Sequence, residues 1–195
     1  MKIGITSRSA LVVVDMQNDF CEGGSLPVIG CGSIVSKIND YIKLFSSAGV
    51  TVVASRDWHP PNHVSFKTRG GPWPPHCVAG SEGAEFVEGL QLPEGTIVVS
   101  KATEPDFEAY SAFNSTPLHY ILSVRGVRRL FIAGIATDYC VKETALEGLR
   151  LGYEVVVLAD AVAGVSEASS EKALKELVGS GAVLAVSEDL EARSG

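Results

Sequence analysis

Short apolar runs alternate with helical patterns along nearly the whole chain, and this alternation limits the fold more than any other feature of the sequence. The apolar runs have strand length and are rich in β-branched residues, as in Ala10–Val14 and Val155–Ala159. Continuous runs of this kind are typical of strands buried on both faces of a sheet. Because helices separate consecutive strands, the strands should pair in parallel through right-handed crossovers. The sequence therefore predicts an α/β fold with three α/β/α layers around a mostly parallel six-stranded sheet.

The apolar and helical patterns predict six strands and four helices within one domain. Strands are expected at Ala10–Val14, Val50–Ala54, Thr96–Ser100, Leu130–Ala133, Glu154–Leu158 and, from a weaker pattern, Ala182–Ala185. Helices are expected at Ser33–Phe45, Thr116–Val124, Asp138–Leu151 and Glu167–Val178. A length of 195 residues, an aliphatic composition and the lack of internal repeats together predict one domain over residues 1–195.

Charge and hydropathy argue against two classes of partner. The formal net charge is −7 at pH 7, and the basic residues are scattered along the chain. A nucleic-acid-binding surface needs a basic stripe, so no nucleic-acid partner is expected. The apolar runs are far too short to cross a bilayer, so no membrane partner is expected either. The first residues lack a cationic segment followed by an apolar signal core, which favours a cytoplasmic location.

The four cysteines are Cys21, Cys31, Cys77 and Cys140. They form no CxxC pair, which argues against a zinc ribbon or a disulfide scaffold, and in a reducing compartment most should be free thiols. Cys140 differs from the others because it follows a predicted strand across a sharp turn, where a helix begins. The helix dipole and its unpaired N–H groups predict a lowered pKa for this thiol and an oxyanion hole beside it. A lone cysteine more often fills a gap beside a sheet, so other polar residues must support this interpretation.

Polar side chains at the carboxyl ends of other strands supply that support. Parallel sheets bind ligands outside these strand ends. Asp15 follows the first predicted strand, Lys101 the third and Cys140 the fourth. For Asp15 alone, a capping or turn role after the strand is an alternative, and a lone lysine such as Lys101 is more often a solvated surface residue. Together, a carboxylate that moves protons, an ammonium and a thiol form a plausible nucleophilic site.

A second cluster of polar residues lies in the Pro- and Gly-rich segment 56–95, which interrupts the alternation. Asp57 and His59 are two residues apart, so their side chains point the same way in an extended chain. With the more distant His76 they offer three ligands to zinc, iron or manganese. His63 is an additional candidate, either as a ligand, as a group behind the ligands or as a packing residue.

Several longer motifs are spread over nearly the whole chain. They are ALVVVDMQNDF at Ala10–Phe20, SRDWHPPNHVSF at Ser55–Phe66, GPWPPHCV at Gly71–Val78, GAEF at Gly83–Phe86, Lys101, DFEAYSAF at Asp106–Phe113 and GIATDYCVKETA at Gly134–Ala145. With these motifs the chain resembles the nicotinamidases (pyrazinamidases) of the isochorismatase-like cysteine hydrolase superfamily. The resemblance implies the isochorismatase-like hydrolase fold. It also implies a cytoplasmic enzyme of NAD salvage that hydrolyses nicotinamide to nicotinate and ammonia.

The resemblance also implies roles for particular residues. Asp15 matches the general acid and base of the family, Lys101 its catalytic lysine, and Cys140 the nucleophile that forms a thioester. The oxyanion hole would consist of the backbone N–H groups of Ala136 and Cys140. In the family a cis peptide bond precedes that alanine, which here is the bond Ile135–Ala136.

The remaining implied residues bind substrate and metal. The substrate-binding residues would be Phe20, Trp73 and Tyr110, and the metal ligands would be Asp57, His59 and His76, with His63 a further ligand in some relatives. Zinc is the first choice of metal, and iron and manganese are alternatives. The metal would anchor the pyridine ring of nicotinamide. Relatives range from monomers upward, so the resemblance leaves a homo-oligomer open.

Two alternative functions remain open from the sequence. Another amidohydrolase of the superfamily, acting on an N-carbamoyl or ureido substrate, would keep the aspartate, lysine and cysteine but would generally lack the metal motif. A non-catalytic metal-binding module on the same fold would not need all three catalytic residues. The complete set Asp57, His59 and His76 beside an intact Cys140 favours a nicotinamidase.

Overall fold

A six-stranded sheet forms the centre of the structure, a computed structural model that describes residues 2–192. The strands are β1 (Ile3–Ile5), β2 (Ser9–Val14), β3 (Thr51–Asp57), β4 (Ile97–Lys101), β5 (Arg129–Ile135), β6 (Glu154–Ala163), β7 (Val183–Ala185) and β8 (Leu190–Ala192). The helices are α1 (Cys31–Ser47), α2 (Leu118–Val124), α3 (Lys142–Arg150) and α4 (Glu167–Gly179). The sheet has the order β4-β3-β2-β5-β6-β7, and all its neighbouring strands are parallel. The predicted six-stranded parallel sheet and its four helices are confirmed.

Helices cover both faces of this sheet. On the α1 face, the ring of Phe45 lies 4.8 Å from that of Phe131 in β5. On the other face, Leu118 of α2 and Leu177 of α4 share a buried cluster with Val12 of β2. Both sides of each central strand therefore contact apolar layers, which explains the continuous apolar runs in the sequence. Within residues 2–192, every helix falls short of the length and apolar character that crossing a bilayer requires.

The strand order reverses between β2 and β5. From β2 the chain adds β3 and β4 on one side, and from β5 it adds β6 and β7 on the other. The connections on the two sides diverge there, which opens a crevice at the carboxyl ends of the strands. Asp15 directly follows β2, and Cys140 follows β5, so the two residues lie on either side of this crevice.

A short second sheet, which the sequence did not indicate, joins β1 and β8. Ile3–Ile5 pairs in parallel with Leu190–Ala192. Ile5 and Leu190 are buried in the cluster on the α1 face. Three-residue strands are too short to produce a periodic signal, so only the pairing of two distant segments defines them.

The prediction of free thiols is wrong for two of the four cysteines. Cys21 and Cys31 form a disulfide with a Cα–Cα distance of 5.1 Å, whereas Cys77 and Cys140 are free. Cys21 follows the short turn Asn18–Phe20 after β2, and Cys31 begins α1. The turn brings Cys21 against the start of the helix, a proximity that spacing rules for cysteine motifs do not detect.

Candidate active site

The structure brings the three predicted catalytic residues together around one ammonium group. Lys101 Nζ lies 2.9 Å from Asp15 Oδ2 and 3.5 Å from Cys140 Sγ. It also lies 2.5 Å from Asp57 Oδ1 and donates a hydrogen bond of 3.1 Å to the carbonyl of Ala109. Asp15 and Lys101 are completely or almost completely buried, and Cys140 is 6% exposed. The ends of β2, β3 and β4 thus converge with the residues after β5, as expected at a switch point.

Asp15 occupies its position because the chain turns sharply at the end of β2. Its φ is 49°, in the left-handed region that few residues other than glycine adopt, and such strain is common at functional sites. Its N–H still bonds to the carbonyl of Ser55 in β3 over 3.1 Å. The Ser55 hydroxyl in turn donates a 2.7 Å hydrogen bond to Asp15 Oδ1. Ser55 therefore orients the carboxylate, a role that a buried strand serine does not reveal in sequence.

Cys140 lies in a π-helical turn, Thr137–Val141, that leads directly into α3. The peptide bond Ile135–Ala136 before this turn is cis, as the resemblance implied. Gly134 has a φ of 115°, and a Cβ atom there would collide with the main chain of Val14 in β2. Glycine at this position therefore allows the end of β5 to approach β2 closely.

The predicted lowering of the Cys140 pKa is wrong for this structure. Burial raises the pKa of the Cys140 thiol well above its ordinary value, and the charges of Asp15 and Asp57 raise it further, while Lys101 opposes them. A helix start typically stabilises a nearby anion by about 0.3–1 kcal/mol, whereas full burial can disfavour ionisation far more strongly. The resting side chain is therefore a thiol that needs a base.

Asp15 has the electrostatic properties of that base. Burial and the neighbouring charge of Asp57 raise its pKa, although Lys101 opposes the shift. For Asp57 the balance is reversed: burial opposes ionisation, but the charge of Lys101 holds its pKa below the usual range. Two carboxylates on one lysine thus differ in proton affinity, since the pKa of Asp15 is raised and that of Asp57 is lowered.

The three predicted metal ligands also lie together. One ligand atom from each of Asp57, His59 and His76 falls within 4.8 Å of the others. His59 Nδ1 donates to the carbonyl of Ala102 over 3.2 Å, and His76 Nδ1 donates to the carbonyl of Pro74 over 2.8 Å. Because carbonyl oxygens only accept, these bonds fix the tautomer and leave each Nε2 with a lone pair.

The donor set fits a divalent metal. His59 Nε2 is buried without a hydrogen-bond partner among residues 2–192, and it lies 3.5 Å from Asp57 Oδ2. A buried, unpartnered polar atom is costly unless a ligand satisfies it. Burial lowers the pKa of His76, which favours the neutral imidazole that metals require. Two imidazoles and a carboxylate suit zinc, iron or manganese.

His63 lies beside this cluster, with both ring nitrogens engaged. Its Nε2 donates to the carbonyl of Phe107 over 3.0 Å, and its Nδ1 accepts from the N–H of Ser65 over 3.3 Å. The imidazole rings of His63 and His59 are 4.1 Å apart. In this arrangement His63 packs behind His59 and has no free lone pair, and its role as a further ligand stays a prediction.

A cavity of about 610 Å³, partly open to solvent, connects the metal-ligand cluster with Cys140. Its lining is mainly apolar and consists of Phe20, Leu26, Pro27, Val28, Asp57, Trp73, His76, Glu108, Tyr110, Ala136, Tyr139, Cys140 and Val165. The Trp73 indole donates to the Tyr110 hydroxyl over 3.1 Å, which holds two of the predicted substrate-binding rings together. Mainly apolar cavities with a few polar groups typically bind small organic ligands.

Several lining residues were not among the sequence candidates. Leu26, Pro27 and Val28 come from the loop closed by the disulfide, and Val165 comes from the turn before α4. These residues have no chemical signature, so only the folded loops place them in the cavity. Tyr139 was detectable in principle, since it directly precedes Cys140.

Comparisons with known proteins agree with this geometry. Residues 9–189 match the isochorismatase domain. The nicotinamidase of Escherichia coli (strain K12) is 38% identical over 209 residues, which cover 95% of this chain and 98% of that protein. The nicotinamidase/pyrazinamidase of Mycobacterium tuberculosis is 42% identical over 176 residues, which cover 86% of this chain and 93% of that protein.

Solved structures give the same result. The pyrazinamidase of Pyrococcus horikoshii in complex with zinc has a TM-score of 0.90 and 51% identity, over 92% of this chain and 99% of that chain. PnC1 from L. infantum in complex with nicotinate has a TM-score of 0.92 and 38% identity, over 99% of this chain and 100% of that chain. From the extent of these matches and the shared fold, this chain belongs to the isochorismatase family.

Proposed function

We propose that this protein is a nicotinamidase, an amide hydrolase that converts nicotinamide to nicotinate and ammonia and also accepts pyrazinamide. One observation carries the proposal: a single cavity is lined both by Cys140, which lies against the buried Lys101–Asp15 pair, and by Asp57 and His76 of the two-histidine, one-carboxylate donor set. The nicotinamidase relatives support the substrate. The enzyme would act in the cytoplasm, in NAD salvage.

In the first step Asp15 accepts the proton of Cys140, and the thiolate attacks the carboxamide carbon. Lys101 lies within 3.5 Å of both side chains and stabilises the thiolate as it forms. An amide carbon is a poor electrophile, so the oxyanion of the tetrahedral adduct needs donors. The backbone N–H groups of Ala136 and Cys140, at the cis bond and the π-helical turn, would supply them.

In the second step the adduct collapses to a thioester. The proton held by Asp15 passes to the leaving nitrogen, the C–N bond breaks, and ammonia departs. In the third step Asp15 takes a proton from water, which attacks the thioester carbon, and the C–S bond breaks. Cys140 regains its proton and nicotinate is released, so one water is consumed per amide hydrolysed.

Asp57, His59 and His76 would hold the divalent metal, with zinc the first choice and iron or manganese the alternatives. When bound, the metal supplies an electron-pair acceptor for the pyridine nitrogen, directly or through a bound water, and so orients the ring. Phe20, Trp73 and Tyr110 would enclose the ring. Asp57 also pairs with Lys101, so one carboxylate links the two halves of the site.

The test is to incubate the purified protein with nicotinamide and measure ammonia and nicotinate. We expect both products in equal amounts, none from Cys140→Ala, and a nicotinoyl thioester on Cys140 after rapid quenching and mass spectrometry. The matched control is Cys77→Ala, which removes the other free thiol and should retain turnover. Hydrolysis of ureido substrates alone would assign the chain to the other amidohydrolases, and metal binding without hydrolysis would make it a binding module.

A further inference from the structure

The side chain of Gln17 makes an unusual set of contacts with one residue of the site. Gln17 is completely buried. Its Nε2 donates to the carbonyl of Asp57 over 2.8 Å and to the carbonyl of Ala84 over 2.9 Å. Its Oε1 accepts from the N–H of Asp57 over 2.8 Å. One amide side chain therefore satisfies both main-chain groups of Asp57.

These contacts take the place of the main-chain hydrogen bonds that β2 would make to β3 if β2 continued past Val14. The main-chain pairing of β2 with β3 ends at Val14 and Ser55, and the left-handed turn at Asp15 takes the chain away. In a parallel sheet the N–H and C=O of one residue face the same neighbouring strand. The N–H and C=O of Asp57 therefore face the side on which β2 would lie if it continued. The Gln17 amide occupies this position and bonds to both groups.

The position of Asp57 matters because its carboxylate has two partners. Oδ1 lies 2.5 Å from Lys101 Nζ, and Oδ2 lies 3.5 Å from His59 Nε2. Asp57 is the last residue of β3, where no further main-chain pairing with β2 holds the peptide. A small rotation of that peptide would move both carboxylate oxygens away from their partners.

We propose that Gln17 is a positioning residue that aims the Asp57 carboxylate at the metal through its two main-chain hydrogen bonds. The inference rests on the metal site of the proposed function. Groups that orient a metal ligand typically contribute about 10–100-fold to metal affinity. Loss of the Gln17 amide should therefore weaken metal binding by a factor in that range.

The experiment measures Zn²⁺ binding to the metal-free, full-length protein by competition with a chromophoric chelator. Gln17→Glu keeps the side-chain length but has no N–H group for the two carbonyls, and Gln17→Met removes all three hydrogen bonds. The matched control is Asn18→Asp. Asn18 Nδ2 donates to the carbonyl of Glu82, in the loop that also contains Ala84, without contacting Asp57.

We expect the dissociation constant for Zn²⁺ to rise about 10–100-fold in both Gln17 variants and to stay near wild type in Asn18→Asp. For nicotinamide, KM should rise more than kcat falls. Folded Gln17 variants with wild-type affinity would overturn the proposal. An equal loss in Asn18→Asp would also overturn it, because tethering of the loop would then explain the effect.

Two further outcomes are distinguishable. If the wild type itself binds no Zn²⁺, the proposed metal site is wrong, whereas wild-type binding with unchanged variants refutes only the role of Gln17. If both Gln17 variants fail to fold, amide hydrogen exchange of the wild type tests whether the Gln17 hydrogen bond holds the main chain of Asp57. The Asp57 N–H should exchange as slowly as the interior of β3, and fast exchange would show that the Gln17 bond does not hold this residue.

Discussion

Lys101 is the residue on which the electrostatics of the site depend. One buried ammonium faces three groups that can each become anionic: Asp15, Asp57 and Cys140. Burial alone would lower the pKa of Lys101, but the two carboxylates raise it well above the usual value, so the lysine remains charged. A single cation cannot balance three anions in a desolvated site. One proton is therefore retained among Asp15, Asp57 and Cys140 until the reaction transfers it to the leaving nitrogen.

Replacing this lysine should change both thiol ionisation and turnover. In Lys101→Met the cation that lowers the pKa of Cys140 is lost, so the thiol should ionise at still higher pH. Alkylation of Cys140 by iodoacetamide, resolved by peptide mapping and followed against pH, should shift to higher pH, and ammonia release should fall severely. If the alkylation profile and turnover both match wild type, Lys101 does not act on the thiol.

The proposed role of Asp15 as acid and base gives a second prediction. Asp15→Asn keeps the shape and can still accept from Ser55, but it cannot take the thiol proton. A general acid–base group contributes about 10²–10⁴-fold to rate, so kcat for nicotinamide should fall by that order. Ser55→Ala removes only the orienting hydrogen bond and should have a smaller effect. Equal losses in the two variants would contradict proton transfer by Asp15.

At the scale of elements, the end of β3 joins the metal-ligand cluster to the catalytic group. Asp57 contacts Lys101 of the neighbouring strand β4 and faces His59, whereas His76 comes from the loop between β3 and β4. Substitutions of Asp57 and His76 should therefore differ in their effect on Cys140, even though each removes one proposed metal ligand.

In His76→Ala, metal binding should be lost and KM for nicotinamide should rise, while alkylation of Cys140 stays near wild type. In Asp57→Ala, metal binding should also be lost, but the alkylation profile should lie at lower pH than in the metal-free wild type, because the charge of Asp57 raises the pKa of the thiol. Metal content by mass spectrometry and alkylation by peptide mapping measure the two effects. Identical profiles in both variants would show that the carboxylate has no influence on the thiol.

At the scale of the whole molecule, the disulfide closes the loop that supplies one wall of the cavity. Leu26, Pro27 and Val28 lie between Cys21 and Cys31, and all three line the cavity. A cross-link over this separation restricts the unfolded chain, which contributes about 2–3 kcal/mol to stability.

Cys31→Ser should therefore lower the free energy of unfolding by about 2–3 kcal/mol. Guanidinium unfolding with and without a reductant measures this. The reductant should destabilise the wild type and leave Cys31→Ser unchanged. A wild type whose unfolding midpoint does not respond to full reduction would contradict a stabilising disulfide.

Much of this fold follows from local patterns in the sequence. The apolar runs predict the six parallel strands because the chain buries both faces of a sheet between helices, and the structure confirms them with boundaries shifted by a few residues. Asp15, Lys101 and Cys140 were identifiable because parallel strands bring their carboxyl ends to one edge. Asp57, His59 and His76 were identifiable because carboxylate and imidazole groups are metal ligands.

Other features depend on the tertiary structure alone. The pairing of β1 with β8 and the Gln17 bonds to Asp57 join segments that are distant in sequence, so no local period encodes them. The disulfide spans only ten residues, but it forms because the turn after β2 brings Cys21 against the start of α1. The raised pKa of Cys140 has the same origin, because desolvation depends on everything that packs around the sulfur. The sequence determines which side chains reach the crevice, and the packing of the folded chain decides their partners, protonation and charge.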